Sequence, residues 1–339
     1  MEELPKISVI IPIRNEEKYI TATLGFILSQ DYPADKLEIL VVDGESEDRS
    51  REIVDEIAGQ DHRVRLLNNP GRLSSAGRNV GVRMATGEIV TFIDGHTYID
   101  NNQLLKNMVE LMRTHNLEIL SRPQFLETPD NNHFQGAVAI ARKSLIGHGL
   151  DSTIYTADDK FVDPGSSGAS YRREIFDKIG YYDEIFDACE DVEFNYRASR
   201  AGFKSFTSLK LAVYYYPRES LSGLFRQMKR YGIGRYRLFR KFPGSLSAGT
   251  LAPLLLTVGI PSLGICAIFI QPLIYLFMAI VGLYILGILG WSLGAAIRHG
   301  IRYFFPILLI YPAIHTGLGF GFILEFFRTI FGKGAPSDR

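Results

Sequence analysis

Two side chains able to bind a metal ion, Asp94 and His96, stand one glycine apart where the apolar run EIVTFIDGH stops. If the backbone turns at Gly95, carboxylate and imidazole face one crevice and hold a divalent cation, whose open positions suit a diphosphate leaving group. Taken alone, a D-x-H triplet is more often a turn or cap aspartate beside a solvated histidine. Asp43, at the end of LEILVVDG, reads equally as a turn residue or as an acceptor for a base N–H or a ribose hydroxyl. Asp48, with Ser46, reads first as a cap for the helix DRSREIVDEI. Arg78 lies in SSAGRNVGVRMATG, whose Ser75, Ala76, Gly77 and Gly81 let a helix approach a neighbour or ligand closely. Its guanidinium then clamps phosphate oxygens, unless it is an ordinary surface arginine. Glu190, Asp191 and Glu193 crowd the start of a helix in FDACEDVEFNYR. Compensation of the helix dipole accounts for such acids; the sharper reading makes one a general base, with its pKa raised by its like-charged neighbours.

The elements that must position these groups alternate. ISVIIPI, LEILVVDG, VRLLNN and EIVTFIDG have the continuous apolar character of buried strands, while EKYITATLGFILSQ, DRSREIVDEIAGQ and LSSAGRNVGVRMATG have helical spacing. Alternation of this kind predicts a mostly parallel sheet with helices on both faces, and ligands off the carboxyl ends of its strands. Three predicted strand ends carry polar clusters: Arg14, Asn15 and Glu16; Asp43, Ser46 and Asp48; Asp94 and His96. The block 117–217 is less regular, with a glycine-rich loop DPGSSGASYRRE ahead of the acidic helix.

Composition divides the 339 residues. Residues 1–217 hold 24 Lys and Arg against 34 Asp and Glu, a net of −10, whereas 218–339 hold 13 against 3, a net of +10. From Ala248 onward three nearly uncharged apolar runs follow, each over 20 residues and therefore long enough as a helix to cross the roughly 30 Å of bilayer hydrocarbon. The segment before them, SLSGLFRQMKRYGIGRYRLFRKF, interleaves aromatic and aliphatic residues with cations, as an interfacial helix does. The division expected is 1–217 as a polar domain, 218–247 as an amphipathic basic segment and 248–331 as a membrane region of about three helices. The positive-inside rule puts the first in the cytoplasm, and the plasma membrane is the membrane expected. MEELPKISVIIP has acids where a leader has bases, so no signal peptide is expected. With one of the two cysteines, Cys266, inside an apolar run, no disulfide with Cys189 is expected. A nucleic-acid partner is not expected either.

In order along the chain, VIIPIRNEEKYI, VVDGESED, FIDGH, CEDVEF and QMKRY resemble the motifs of family 2 glycosyltransferases, in particular the membrane-anchored, succinoglycan-type exopolysaccharide enzymes. The resemblance runs from about Ile7 to Tyr231. It implies an α/β GT-A fold, Rossmann-like, binding a UDP- or GDP-linked sugar with Mn²⁺ or Mg²⁺ and transferring the sugar with inversion. Pro12, Glu16, Asp43 and Asp48 would line the nucleoside, with Arg78 nearby; Asp94 and His96 would hold metal and diphosphate. Asp191 becomes the general base, Glu190 a supporting residue on the acceptor side, and Gln227, Arg230 and Tyr231 close over the donor. Two departures stand out: His96 replaces the family's second aspartate, which favours Mn²⁺, and Tyr231 replaces a tryptophan.

Three apolar runs, the last interrupted by Pro306 and Pro312, are few for a polymer channel, so a single sugar added to a lipid-linked acceptor is expected. The neighbouring alternative is a polyprenyl-phosphate glycosyl synthase, whose anionic acceptor needs no base. A non-enzymatic alternative is a membrane subunit that senses nucleotides; the paired acids and the lack of a phosphate-cradling glycine–lysine loop weigh against an ATP-driven machine. The third run either spans or lies partly in the interface, with Glu325, Arg328 and Lys333 after it suited to a cytoplasmic surface.

Overall fold

The computed structural model describes residues 3–148, 154–155 and 158–332, so Lys333 lies outside the described residues. The chain begins β1 (Ile7–Ile13), α1 (Ile20–Leu28), β2 (Leu37–Asp43), α2 (Ser50–Gln60), β3 (Val64–Asn68), α3 (Ser74–Met84) and β4 (Ile89–Phe92). It continues through β5 (Thr97–Tyr98), α4 (Leu104–Thr114), β6 (Ile119–Ser121), β7 (Gln124–Phe125), α5 (His133–Lys143) and α6 (Leu145–His148). Then come β8 (Lys160–Val162), β9 (Gly168–Arg172), α7 (Glu174–Ile179), α8 (Glu190–Arg200), β10 (Ser205–Thr207) and β11 (Val213–Tyr215). The remainder is helical: α9 (Leu221–Lys241), α10 (Ala248–Leu254), a π turn (Leu255–Gly259), α11 (Ile260–Phe269), α12 (Pro272–His299) and α13 (Phe304–Ile330). Two compact units result, 1–128 with 153–216, and 129–152 with 217–339.

In the first unit an eight-stranded sheet has the order β3-β2-β1-β4-β9-β6-β10-β8. Its first four strands are parallel, as the alternation predicts. Beyond β4 the sheet is mixed, because β9 runs antiparallel to both β4 and β6, and β8 antiparallel to β10. A small second sheet, β5-β11-β7, is built from strands of two or three residues.

The long strands are buried on both faces, which is why they read as unbroken apolar runs. Ile7, Val9, Ile11 and Ile13 pack with Leu24 of α1, Val54 of α2 and Met108 of α4. Ile10, Leu40, Val42 and Phe92 face the opposite way, onto Val82 of α3, Phe176 of α7 and Phe194 of α8. The glycines of α3 serve this packing: a Cβ on Gly81 would collide with the Ile10 side chain, and one on Gly77 would come within 3.3 Å of Pro12 Cβ. The neighbour that its small residues admit is therefore β1.

The second unit has its own core, in which Ala137, Val138 and Ala141 of α5 and Leu224 and Met228 of α9 surround Ile307, Ile310, Tyr311 and Ile314 of α13. Ala248–Phe269, Pro272–His299 and Ile301–Ile330 are each long and apolar enough to cross a membrane. Cys189 is buried and Cys266 exposed, with no disulfide among the described residues.

Candidate active site

The carboxyl ends of the parallel strands carry the backbone strain. Asn15, Glu45 and Arg72, following β1, β2 and β3, have left-handed φ of 59°, 57° and 62°, and Cys189, just ahead of α8, has 64°. Non-glycine residues in that region are uncommon and collect where surrounding structure dictates a special loop path. After β4 the path is narrower still: a Cβ on Gly95 would lie 2.9 Å from Ile13 Cγ2 and 3.0 Å from Glu16 Cγ. Glycine is what lets the chain pass β1 and present Asp94 and His96 on either side of the turn.

Arg78 connects the motifs. Its Nη2 lies 3.4 Å from Asp94 Oδ1 and its Nε 3.3 Å from Glu190 Oε1. The guanidinium carbon sits 4.9 Å from the centre of the Phe92 ring and 5.6 Å from that of Tyr182, so aromatic faces cover the cation. Burial works against its charge, but Glu190, Tyr182, Asp94 and Asp191 outweigh it and raise the Arg78 pKa. The strand-end acid and the start of α8, separated by about a hundred positions, thus meet on one arginine.

The three acids of α8 separate by environment. Glu193 is fully buried and paired with Arg197 at 2.8 Å, which makes it structural. Glu190 is buried; desolvation, with Asp191 beside it, pushes its carboxyl up despite Arg78. Asp191 is partly exposed, and its Oδ1 takes the N–H of Val192 at 2.8 Å.

His96 is held from the β1 loop, with Nδ1 2.9 Å from Glu16 Oε1. A carboxylate on one ring nitrogen fixes the imidazole and directs its other nitrogen to a metal. Among the described residues no group of three His, Cys, Asp or Glu side chains is placed to hold an ion. Asp94 and His96, on either side of the Gly95 turn, have the donor types that suit Mg²⁺ or Mn²⁺ and are the pair that would hold such an ion beside a nucleotide diphosphate. Tyr215 packs its ring 6.0 Å from that of His96, and burial together with the Asp94 charge raises its pKa, keeping the hydroxyl protonated.

On the nucleoside side, Asp43 is buried at the end of β2, accepting the Ser46 N–H at 3.3 Å, with Arg51 at 3.5 Å from Oδ2. Asp48 takes the N–H of Ser50 at 2.9 Å in the first turn of α2 and that of Glu17 at 3.1 Å, tying the β1 loop to the helix. Burial opposes its ionisation, yet these hydrogen bonds hold its carboxyl below the ordinary range. Pro12 is half-buried near the end of β1. Gln227, Arg230 and Tyr231 belong to α9 in the second unit, where Gln227 Nε2 donates to the Tyr231 hydroxyl at 3.3 Å.

Sequence reasoning missed Tyr182, Tyr215 and Arg122. Arg122 is buried behind the site, donating to the Phe92 carbonyl that ends β4 and lying 3.5 Å from Thr91 Oγ1. In SRPQF it carries no signal, since β6 is two places from β4 in the sheet and only the folded chain brings Arg122 to the Phe92 carbonyl.

The glycosyl transferase family 2 model matches residues 8–180. The succinoglycan biosynthesis protein ExoA of Rhizobium meliloti (strain 1021) is 31% identical over 69% of this chain and 70% of its own length. A dolichyl N-acetyl-α-D-glucosaminyl phosphate 3-β-D-2,3-diacetamido-2,3-dideoxy-β-D-glucuronosyltransferase of Methanococcus voltae is 28% identical over 69% of this chain and 74% of its own. Among solved structures, the mannosyltransferase PcManGT from Pyrobaculum calidifontis, in complex with GDP-Man and Mn²⁺, superposes with a TM-score of 0.59 at 19% identity, covering 94% of this chain and 88% of that one. The fold is therefore GT-A, and the chain belongs to glycosyltransferase family 2, the glycosyltransferases of polysaccharide and glycoconjugate assembly.

Proposed function

We propose that the protein moves one sugar, with inversion, from a GDP- or UDP-linked donor to a hydroxyl of a lipid-linked acceptor, with its polar unit at the cytoplasmic face of the plasma membrane. The observation that carries this is the Arg78 bridge, which brings the Asp94 motif and the acids of α8 to one place. Asp191, the partly exposed acid, takes the proton of the acceptor hydroxyl as its oxygen attacks the anomeric carbon. The anomeric bond to the diphosphate breaks with its electron pair going to the departing oxygen, and a single displacement inverts the centre. Asp94 and His96 hold the divalent ion, Glu16 fixes His96, and the ion when bound neutralises charge on the leaving diphosphate. Arg78 supports the same negative charge, and the protonated Tyr215 supplies a neutral wall.

The name of the M. voltae relative specifies a sugar acceptor on a dolichyl phosphate, which supports a lipid-linked hydroxyl, and the PcManGT complex supports a nucleotide sugar with Mn²⁺. The transferase domain would comprise residues 1–217, with 218–247 interfacial and 248–331 in the membrane. The test is purified protein with Mn²⁺, a panel of UDP- and GDP-sugars and membrane lipid extract: one donor should give a glycosylated lipid and free nucleoside diphosphate. If no donor is consumed with any acceptor fraction, the sensing reading replaces transfer.

A further inference from the structure

The third apolar helix differs from the other two in what lies beside it. Of its most apolar window 56% is buried, against 11% for Ala248–Phe269 and 6% for Pro272–His299. Part of the cover comes from the first two runs, where a Cβ on Gly319 would strike the Pro253 carbonyl and the Tyr284 hydroxyl lies 2.9 Å from His315 Nδ1; the rest comes from two helices that are not membrane spans by composition. Along its first half runs the segment 133–146: the His133 ring stacks on Tyr303 at 4.9 Å, the Tyr311 hydroxyl donates to Ser144 Oγ at 3.0 Å, and His315 Nε2 lies 2.8 Å from the Ile146 carbonyl oxygen. Along its second half runs α9: Phe225 lies 6.4 Å from Phe320, Tyr236 5.1 Å from Phe322, and Arg237 2.8 Å from the buried Glu325. Along the first stretch the numbers rise together, from His133 with Tyr303 to Ile146 with His315, so α13 runs parallel to that segment. The second contact is close: a Cβ on Gly321 would strike the Lys229 carbonyl, and one on Gly232 the Leu318 carbonyl.

Helix α9 carries Arg226, Lys229, Arg230, Arg235, Arg237, Arg240 and Lys241, and α5 ends in Arg142 and Lys143. Helices charged to this degree do not enter hydrocarbon, and a helix bound along them cannot leave their plane. The face of α13 turned away from them is apolar: Phe305, Leu309, Phe320, Phe327 and Ile330 are all exposed, at spacings that keep them on one side. Lys229 places its ammonium 5.9 Å from the Phe320 ring, at the border between charge and apolar stripe, where a lysine at a lipid headgroup sits. By contrast, α12 exposes large apolar residues all round, among them Ile274, Leu276, Leu286 and Trp291, as a helix immersed in lipid does.

We infer that α13 is monotopic: it lies on one leaflet beneath α5 and α9, stripe inward, and only α10–α11 and α12 cross, as a hairpin turning at Ile270 and Gln271. Residues 301–330 then stay on the same side of the membrane as α9, and the surface they rest on is an anionic lipid headgroup layer.

Full-length protein carrying an epitope tag after Arg339, in inside-out vesicles that expose the polar unit, should lose the tag to protease as completely as it loses the polar unit. A tag protected until detergent is added means three crossings and overturns the inference. For depth, Thr316→Trp at the middle of α13, in a Trp291→Phe background, is reconstituted into phosphatidylglycerol–phosphatidylcholine vesicles. Stronger quenching by lipids labelled near the headgroup than by lipids labelled near the chain end is expected. Stronger quenching from the chain end, or none from either because a protein covers the stripe, overturns it. Failure of glycosyl transfer would leave these results unchanged.

Discussion

Two arginine–carboxylate contacts begin one turn apart on α8 and end in opposite conditions. Arg197 meets Glu193 through two hydrogen bonds of 2.8 and 2.9 Å and donates two more to the carbonyls of Ile179 and Tyr181. That pair is closed: charges match, and Glu193 has no exposure. Arg78 instead reaches two carboxylates at 3.3 and 3.4 Å, with Asp191 near by and Asp94 still 34% exposed. One cation among three acids leaves negative charge that a bound cation would balance. A buried pair that is neutral and fully bonded is architecture, whereas an unbalanced one at a strand end is a place for chemistry.

The comparison breaks if the two arginines behave alike. Arg197→Met strands a buried carboxylate and should cost about 3–5 kcal/mol of stability, seen as a lowered urea midpoint. Arg78→Met should move the midpoint less and activity more; equal midpoint shifts would put the two contacts in one class. Asp94→Asn should keep the midpoint and lower kcat by roughly 10²–10³-fold, the usual cost of removing one group that stabilises developing charge. Glu16→Gln loosens His96 and should weaken Mn²⁺ binding by about 10–100-fold, measured by titration in the presence of nucleoside diphosphate.

The smallest effect concerns pH. Because the folded state raises the Glu190 pKa, the unfolded chain ionises first, near pH ~4.3. The stability associated with Glu190 is therefore complete below that pH and is lost as pH rises through the raised folded value. Glu190→Gln removes this loss, so parent and variant midpoints should differ more at pH 7 than at pH 4. A difference independent of pH would mean that the fold does not raise the Glu190 pKa.

Much of this was legible in sequence wherever a residue's role is local. The runs that became β1, β2 and β4 are long enough to show burial, and Gly95 between Asp94 and His96 marks the turn between them. What sequence hid is long-range. Strands β5, β7 and β11 are too short to carry a period, so Tyr215 could not be placed beside His96. The reversal of β9 leaves no mark in GASYR, and α5 reads as any amphipathic surface helix although it packs with the long apolar helices of the second unit. Nor does CEDVEF say which of its three acids is sealed; that depends on Arg197 one turn later and on Arg78 far upstream.

The division of labour at this site is tested most directly on Asp191→Asn, by measuring nucleotide-sugar affinity and single-turnover transfer on the same preparation. Donor affinity should be unchanged while transfer to a hydroxyl acceptor falls by about 10²–10⁴-fold. Transfer at the parent rate would contradict the account and point to an acceptor that arrives already ionised, such as a lipid phosphate.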